Sequence, residues 1–304
     1  MPTKRILPYI ALLVGVLSLG ISPFFVRWSH APGPVTTFYR MAIAALVLTP
    51  FVLAKQAKDP VKITPRLVLF PALGGLSSTF DLILWSLSIL HTKVANATLM
   101  GNVAPLWVAL VAWLVFKERL RGLFWVGLGM AMAGASVIVG GDLLLHPQFS
   151  LGDLMGLGSS LFYAGYYLAT QVGRVRLDTL RYIWGMDVAC SLGLLTFTQI
   201  MGMPLTGYDP QTYLAFLGAG LTTQVIGYFS IAYALGHLPA SVVSPTLIGQ
   251  PVLSAILAIP LLGEHLSITQ WVGGFTVLAG IYLVHRARTA SPAETAARVS
   301  QETG

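Results

Sequence analysis

The stretch HTKVANATLMGNVAPLWVALVAWLVFKERLRGLFWVGLGMAMAGA, residues 91–135, returns in altered form as HLPASVVSPTLIGQPVLSAILAIPLLGEHLSITQWVGGFTVLAGI, residues 237–281. The two stretches align without a gap at an offset of 146 residues, the distance from His91 to His237. Identical residues stand at matching places, among them Pro105/Pro251, Trp125/Trp271 and Gly127/Gly273. Self-similarity at a fixed offset indicates duplicated architecture. We therefore predict a chain made of two copies of one unit.

Composition predicts that both copies lie in a membrane. Of the 304 residues, 55% are hydrophobic and 10% are charged, whereas soluble domains are typically about 25% charged. A transmembrane helix needs roughly 20 apolar residues. Runs of that kind occupy residues 6–27, 34–54, 67–90, 94–116, 122–140, 151–172, 179–203, 211–235, 240–262 and 267–285. The predicted fold is all-α, with ten transmembrane helices.

The distribution of Lys and Arg predicts the orientation in the membrane. With the N-terminus inside and ten crossings, fifteen of these side chains fall on the inner side and two, Arg27 and Lys93, on the outer side. Cytoplasmic loops are enriched in Lys and Arg. We therefore expect both termini to be cytoplasmic and the chain to be a multi-pass protein of a bacterial inner membrane.

An odd number of spans in each copy predicts that the copies have opposite orientations. Residues 1–145 would form the first repeat, with helices 1–5, and residues 146–288 the second, with helices 6–10. The polar residues 289–304 would form a disordered cytoplasmic tail. Inverted repeats are common in secondary transporters, where the substrate site lies near the bilayer midplane at the repeat interface.

Several functions are excluded by what the sequence lacks. The net charge of +7 is spread over short connectors without a long basic run, so we expect no nucleic-acid partner. The chain has no GxxxxGK[ST] loop for ATP, and no HExxH, CxxC or nucleophilic-serine motif. We predict neither enzymatic activity nor a cofactor nor a metal site, and the lipid bilayer and a small-molecule substrate are the expected partners.

A recurring order of motifs resembles a known family. A span ends in LWSL (84–87) or AYAL (232–235), a span containing proline follows, and KERL (117–120) or GEHL (263–266) precedes a Trp-x-Gly and a Gly-rich span. This order resembles the EamA repeat of the drug/metabolite transporter superfamily over about residues 6–288, and the triplet 38–40, Phe-Tyr-Arg, also fits it. The resemblance implies ten helices in a 5+5 inverted arrangement, a central cavity, and export of amino acids or related small metabolites by alternating access.

The motifs belong to the scaffold and do not fix the substrate, because one fold serves many functions. Nucleosides, amines or drugs remain open as substrates. A flippase-like or assembly subunit and an intramembrane enzyme are the alternatives outside transport. Whether the protein is a monomer or a homodimer, the direction of transport and the coupling ion are also left open.

Ionisable side chains inside a span are costly and are functional candidates. Asp81 lies near the middle of the third span, and Ser77, Asp81, Trp85 and Ser88 share one helix face. Asp81 is the candidate for proton coupling or for binding a substrate amine. The alternative is a neutral carboxyl that is hydrogen-bonded between helices.

Arg40, in the second span, is a candidate for a substrate carboxylate together with its neighbour Tyr39. It could instead pair with Asp81 or Asp187, or extend its charge to the outer headgroups. Asp187, in the seventh span, is equally compatible with a structural pairing with Arg181.

Aromatic and amide side chains at helical spacing form a second group of candidates. They would line a cavity in which rings stack on an organic substrate and amides fix its polar groups. Interhelical hydrogen bonding is the alternative. The group consists of Tyr163, Tyr167 and Gln171 in the sixth span and Gln224 and Tyr228 in the eighth.

Prolines inside spans complete the candidates. A proline in a helix frees the carbonyl four residues earlier and bends the axis. We expect hinges at Pro105, Pro245 and Pro251. The nearby Asn102 and Gln250 are then candidates for substrate contact through the bends.

Overall fold

The computed structural model describes residues 3–62, 64–139, 150–263 and 265–287, and the part so described is helical without strands. Its helices are α1 Thr3–Ser29, α2 Gly33–Lys58, α3 Pro65–His91, α4 Val94–Gly101, α5 Ala104–Leu114, α6 Gly122–Val139, α7 Leu151–Gly173, α8 Thr179–Ile200, α9 Pro210–Gly218, a π-helical segment Ala219–Tyr228, α10 Phe229–Leu235, α11 Ala240–Thr246, a 3₁₀ turn Leu247–Gly249, α12 Gln250–Leu262 and α13 Ile268–Ala287.

Nine segments of this described chain are long and apolar enough to cross a membrane. They coincide with all the predicted spans except the sixth. That span coincides with α7, which has 23 residues but carries several Ser, Thr, Tyr and Gln side chains that lower its hydropathy. The all-helical fold is thus confirmed, whereas a crossing by α7 stays a prediction. The predicted repeat boundary at 145/146 and the tail 289–304 lie outside the described residues.

Local sequence sets where several helices begin. The Ser150 hydroxyl accepts from the Asp153 N–H, and the Asp153 carboxylate accepts from the Ser150 N–H at 2.7 Å, so a capping box opens α7. Asp178 and Asp209 cap α8 and α9 by accepting from backbone N–H groups of the first turn. These side chains satisfy donors that have no partner within the helix.

The helices pack in a definite set of pairs. α3 lies along α7, and α1 lies along the eighth span, which consists of α9, the π segment and α10. α6 lies along α13, and α2 along α8, while α3 also contacts α8. The centre of the bundle is therefore bordered by α2, α3, α7, α8 and the π segment.

Glycines bring α6 and α13 into backbone contact. A β-carbon at Gly127 would lie 2.8 Å from the Gly280 carbonyl oxygen, and one at Gly134 would lie 2.6 Å from the Gly273 carbonyl oxygen. The contacts are reciprocal, because Gly127 matches Gly273 and Gly134 matches Gly280 in the sequence alignment of the two copies. Small residues permit such close approach of helices in a membrane.

The outer surface of the bundle is apolar. Large hydrophobic side chains point away from the core, among them Leu46, Phe51, Leu90 and Ile200, which are 61–77% exposed. On a water-soluble monomer an apolar surface of this extent would promote association. It suits contact with lipid acyl chains.

Candidate functional site

The predicted polar face of α3 packs against α7. The Ser159 hydroxyl donates to Asp81 Oδ1 at 2.5 Å, and the Ser88 hydroxyl donates to the Gly152 carbonyl at 2.7 Å. Ser77 lies against Gly165, which also belongs to α7. Asp81 is partly exposed. This face thus joins two helices and presents one carboxyl group beside the centre of the bundle.

Arg40 brings a positive charge to this centre from α2. It is 8% exposed, and its guanidinium carbon lies 5.6 Å from the centroid of the Tyr228 ring, within the range of a cation–π contact. Nη1 donates weakly to the Ser22 hydroxyl at 3.5 Å, whereas Nε has no partner among the described residues. Arg40 is thus buried between helices, and within the described chain it forms no ion pair with Asp81 or Asp187.

Asp187 enters from α8 and is fully buried. Its Oδ1 accepts from the Gln224 side-chain N–H at 2.6 Å. Oδ2 of Asp187 and Oε1 of Gln224 have no hydrogen-bond partner among the described side chains and backbone groups. The suggested pairing of Asp187 with Arg181 is wrong, since Arg181 pairs with Asp178 and Asp59 at 2.7 and 3.5 Å.

Four tyrosines border the region around these charged side chains. Tyr163 lies with its ring centroid 4.7 Å from that of Tyr167, and Tyr166 lies 5.2 Å from Tyr167 and 5.7 Å from Tyr228. Tyr166 and Tyr167 are almost completely buried. The structure therefore brings together Arg40, Asp81, Tyr163, Tyr167, Gln224 and Tyr228 of the predicted candidates, and adds Ser159, Tyr166 and Asp187 to them. We call this set the central polar cluster.

Two predicted candidates lie away from the cluster. The Tyr39 hydroxyl donates to the Leu205 carbonyl at 2.6 Å, and the Tyr39 ring stacks on Phe216 at 4.5 Å, near one end of the bundle. The Gln171 amide oxygen accepts from the Ala240 N–H and so caps α11. Both side chains are engaged in contacts between helices, which gives them a structural task where they stand.

The prolines stand at interruptions of two spans. The fourth span breaks between α4 and α5, with Asn102 in the break and Pro105 in the first turn of α5. The ninth span breaks at the 3₁₀ turn, with Pro251 in the first turn of α12, while Pro245 lies within α11. Gln250 begins α12. Trp85 lies beside Gly101, at the end of α4.

The Asn102 side-chain N–H₂ has no partner among the described residues. The π segment of the eighth span carries Gln224 and Tyr228. Widened turns of this kind occur frequently at functional sites. Each of the three interruptions described in the bundle thus carries candidate residues.

A crevice of about 50 Å³ lies elsewhere, between α6, α12 and α13. Its lining is apolar apart from Gln270 and includes Val252, Trp271 and Phe275. Such a surface can hold hydrocarbon but offers little specificity for a polar molecule. Charged and hydrogen-bonding side chains are gathered instead in the central polar cluster.

One end of the bundle is held by ion pairs. Asp178 lies 3.0 Å from Lys55 Nζ and 2.7 Å from Arg181 Nη1, so it joins the end of α2 to the start of α8. Burial opposes ionisation of Asp178, but hydrogen bonds from Lys55 and Arg181 outweigh it and hold the pKa of this carboxyl below its usual value. On the same side, Ser241 donates to Glu118 Oε2 at 2.5 Å.

The sequence signal for the added residues was present but ambiguous. Ser159 stands next to one of the small residues Gly152, Gly156, Ser160 and Ala164, whose spacing of four is typical of helix packing. Tyr166 stands between two tyrosines at spacing four. Only the fold shows that Asp187 faces Gln224 and not the nearer arginine, because that contact joins residues 37 positions apart.

An apolar helical bundle with interrupted spans and a buried cluster of both charge signs defines a polytopic membrane protein with an internal polar site. The chain belongs to the EamA-like transporter family, which matches residues 6–140 and 150–286. The predicted resemblance is thereby confirmed, and the protein is a membrane transporter of this family.

Several relatives support this membership. The uncharacterized transporter YwfM of Bacillus subtilis is 25% identical over 220 residues, which cover 70% of this chain and 72% of the relative. The uncharacterized inner membrane transporter YhbE of Escherichia coli is 23% identical over 263 residues, which cover 81% and 80%. A probable terminal-alkyne amino-acid exporter of Streptantibioticus cattleyicolor is 25% identical over 219 residues, 70% of either chain.

A solved crystal structure shares the fold. It superposes with a TM-score of 0.77 at 18% identity, covering 93% of this chain and 99% of the other. Similarity at that level of sequence identity shows a shared fold alone.

Proposed function

We propose that this chain is a secondary transporter that exports amino acids or related small metabolites by alternating access through the central polar cluster. The observation that carries the proposal is the cluster itself. An arginine of α2, carboxyl groups of α3 and α8, three tyrosines of α7 and one of the π segment meet inside an apolar bundle. Ionisable groups in that environment are costly and mark substrate and ion pathways. The probable terminal-alkyne amino-acid exporter among the relatives supports the choice of substrate class.

The chemistry of the cluster fits a small zwitterion. Arg40 has an unused Nε–H that can donate to a carboxylate, and Asp81 and Asp187 offer oxygens to an ammonium group. The tyrosine rings supply apolar faces for the rest of the molecule. The same carboxyls and ring faces favour an organic amine as the second candidate, because cations bind over aromatic rings.

The proposed architecture has ten spans in two inverted five-helix repeats, with both termini cytoplasmic. The separate matches of residues 6–140 and 150–286 to the family support the repeats. The reciprocal glycine contacts of α6 and α13 support a two-fold relation between them. The helix pairs also fit it, since span 3 on span 6 has its counterpart in span 8 on span 1.

Alternating access needs elements that bend, and the interruptions at Pro105 and Pro251 are the proposed hinges. They occupy matching places in the two copies, so bending at either would open opposite ends of the bundle. The Asn102 amide, the Gln250 amide and the Trp85 ring lie at or beside these breaks and are proposed as further substrate contacts. Ser77 is proposed with them because it shares the face of Asp81.

The test uses purified full-length protein in proteoliposomes. Uptake of radiolabelled amino acids, nucleosides and amines is measured with and without an imposed pH gradient. Asp81→Asn removes the candidate proton carrier, and Asp153→Asn is the matched control, because Asp153 is a buried carboxyl outside the cluster.

We expect saturable uptake of amino acids, and loss of only the gradient-driven part in Asp81→Asn. Gradient-independent uptake that survives in Asp81→Asn would make Asp81 a structural residue. Uptake restricted to amines would replace the substrate class. If no compound of the panel is taken up, the proposal of a small-metabolite transporter fails, and a lipid-linked substrate becomes the better explanation.

A further inference from the structure

Two fully buried carboxyl groups of this chain are solvated very differently. Asp153 accepts from the Thr92 hydroxyl at 2.8 Å and from both the N–H and the hydroxyl of Ser150 at 2.7 Å. Asp187 accepts from Gln224 alone, and its second oxygen has no donor among the described residues. A buried carboxylate is tolerated when donors surround it. Asp153 therefore has the environment of a permanent anion, and Asp187 does not.

The charge of the cluster does not balance when both of its carboxyls are ionised. Arg40 supplies one positive charge and is within electrostatic range of both Asp81 and Asp187. It forms an ion pair with neither of them in the described part of the chain. Two carboxylates and one guanidinium leave a net negative charge in a low-dielectric site. One bound proton makes the cluster neutral.

We propose that Asp81 and Asp187 share one proton, that the Asp187–Gln224 pair is the second of its two positions, and that Arg40 balances whichever carboxylate is ionised. This deepens the proposed function, because it assigns the coupled proton to two residues instead of Asp81 alone. The two carboxyls are coupled through Arg40, which interacts with each of them, and coupled groups titrate as a pair.

Gln224 can serve both forms of Asp187. Its N–H₂ group donates to the ionised carboxylate, as observed at 2.6 Å. After a half-turn of the amide, its carbonyl oxygen accepts from the protonated carboxyl, because an amide carries a donor and an acceptor on opposite sides. The Gln224 carbonyl, which has no partner among the described residues, is thus the acceptor that the proton requires. Asp81 keeps the Ser159 hydroxyl, which can donate to it or accept from it.

The other titratable groups around Asp187 do not alter this balance. Tyr166 of α7, Cys190 of α8 and Tyr228 of the π segment lie close enough to interact with it electrostatically or through Arg40. Their side chains are ordinarily uncharged at neutral pH. The cations at the end of α2, such as Lys55, are engaged with Asp178.

The experiment is infrared difference spectroscopy of the full-length protein in lipid vesicles, with perfusion between neutral and alkaline pH, so that a proton held at neutral pH is released and its band appears in the difference. The protonated-carboxyl C=O band reports buried carboxylic acid directly and needs no substrate, so it remains informative if every transport assay fails. The variants are Asp81→Asn, Asp187→Asn and Gln224→Met, and Asp153→Asn is the matched control. Size-exclusion profiles of the variants verify folding.

For a shared proton we expect one carboxylic-acid band per protein at neutral pH, lost in full in either Asp→Asn variant. Each variant leaves one carboxylate opposite Arg40, so no proton is held. Gln224→Met should shift the band, since it removes the hydrogen-bond partner, and Asp153→Asn should leave it unchanged. Loss of the band in Asp81→Asn alone, in Asp187→Asn alone, or in neither would overturn the shared proton. If Asp187→Asn does not fold, an unshifted band in Gln224→Met overturns it as well.

Discussion

Substitution of Gly134 by alanine tests the contact between α6 and α13. The added β-carbon would lie 2.6 Å from the Gly273 carbonyl oxygen and 2.7 Å from the Val277 nitrogen. Both are backbone atoms, so no side-chain rotation can relieve the overlap, and the two helices must separate. Overpacking of this kind costs about 1–3 kcal/mol.

Gly129 provides the matched control, because it lies in the same helix and an added β-carbon there meets nothing within 4 Å. Alanine is favoured over glycine in a helix by roughly 1 kcal/mol. That gain applies to both variants and cancels in their difference. We therefore expect Gly134→Ala to be less stable than Gly129→Ala by about 1–3 kcal/mol, the overpacking cost alone.

The free energy of unfolding can be measured in mixed micelles by titration with a denaturing detergent, followed by tryptophan fluorescence. Gly280→Ala should behave like Gly134→Ala, since its β-carbon would lie 2.6 Å from the Gly127 carbonyl oxygen. Equal stability of Gly134→Ala and Gly129→Ala would refute the backbone contact. A difference seen in only one of the two interface variants would refute the reciprocal packing.

Three further predictions concern other parts of the bundle. Asp178 has a lowered pKa, because hydrogen bonds from Lys55 and Arg181 outweigh its burial. The ionised carboxyl therefore stabilises the fold fully above its ordinary pKa of about 4, and this stabilisation is lost as the pH falls through the lower folded-state pKa. The melting temperature should fall over that acid range in the wild type, and this fall should be absent in Asp178→Asn. Pro105→Ala should slow transport without lowering the melting temperature, because a continuous helix bends less readily, and equal initial rates of uptake would contradict a hinge there. Tyr39→Phe should cost about 1 kcal/mol of stability, the worth of one hydrogen bond, and leave the pH dependence of uptake unchanged.

Hydropathy and repetition were sufficient to predict the helical fold. Nearly every predicted span coincides with a segment apolar enough to cross a membrane. A membrane span requires a certain length and hydropathy, and both can be read directly from the sequence. α7 is the exception, and its deviation has a cause. Ser159 donates a hydrogen bond to Asp81 of α3, and the tyrosines of α7 border the cluster. The polar side chains that lower the hydropathy of α7 thus include members of the site.

The breaks in the fourth and ninth spans were predictable from Pro105 and Pro251, since proline lacks the N–H that continues a helix. The π segment was not, because neither glycine nor proline is needed for an i→i+5 turn and Ala219–Tyr228 has no unusual composition.

Partners within the site were harder to predict than its members. Arg181 stands nearer in sequence to Asp187 than Gln224 does, yet it turns to Asp178 at the start of the helix. Sequence distance favours local pairs, whereas the contact of Asp187 with Gln224 depends on how α8 packs against the neighbouring spans. Tyr39 and Gln171 were chosen for their chemistry, and in the fold their side chains form hydrogen bonds with Leu205 and Ala240; a substrate contact by either stays a prediction.

The ends of the bundle are held by different kinds of force. At the Lys55 end, charged groups join α2 to α8. At the Tyr39 end, a neutral hydrogen bond joins α2 to Leu205, after the end of α8, and stacked rings join it to Phe216 of α9. Dissolved salt weakens attraction between exposed charges and leaves stacked rings largely unaffected. Ionic strength therefore acts more strongly on the Lys55–Asp178 contact than on the Tyr39 contacts. Raising the salt concentration on the Lys55 side should therefore favour opening at that end without any mutation.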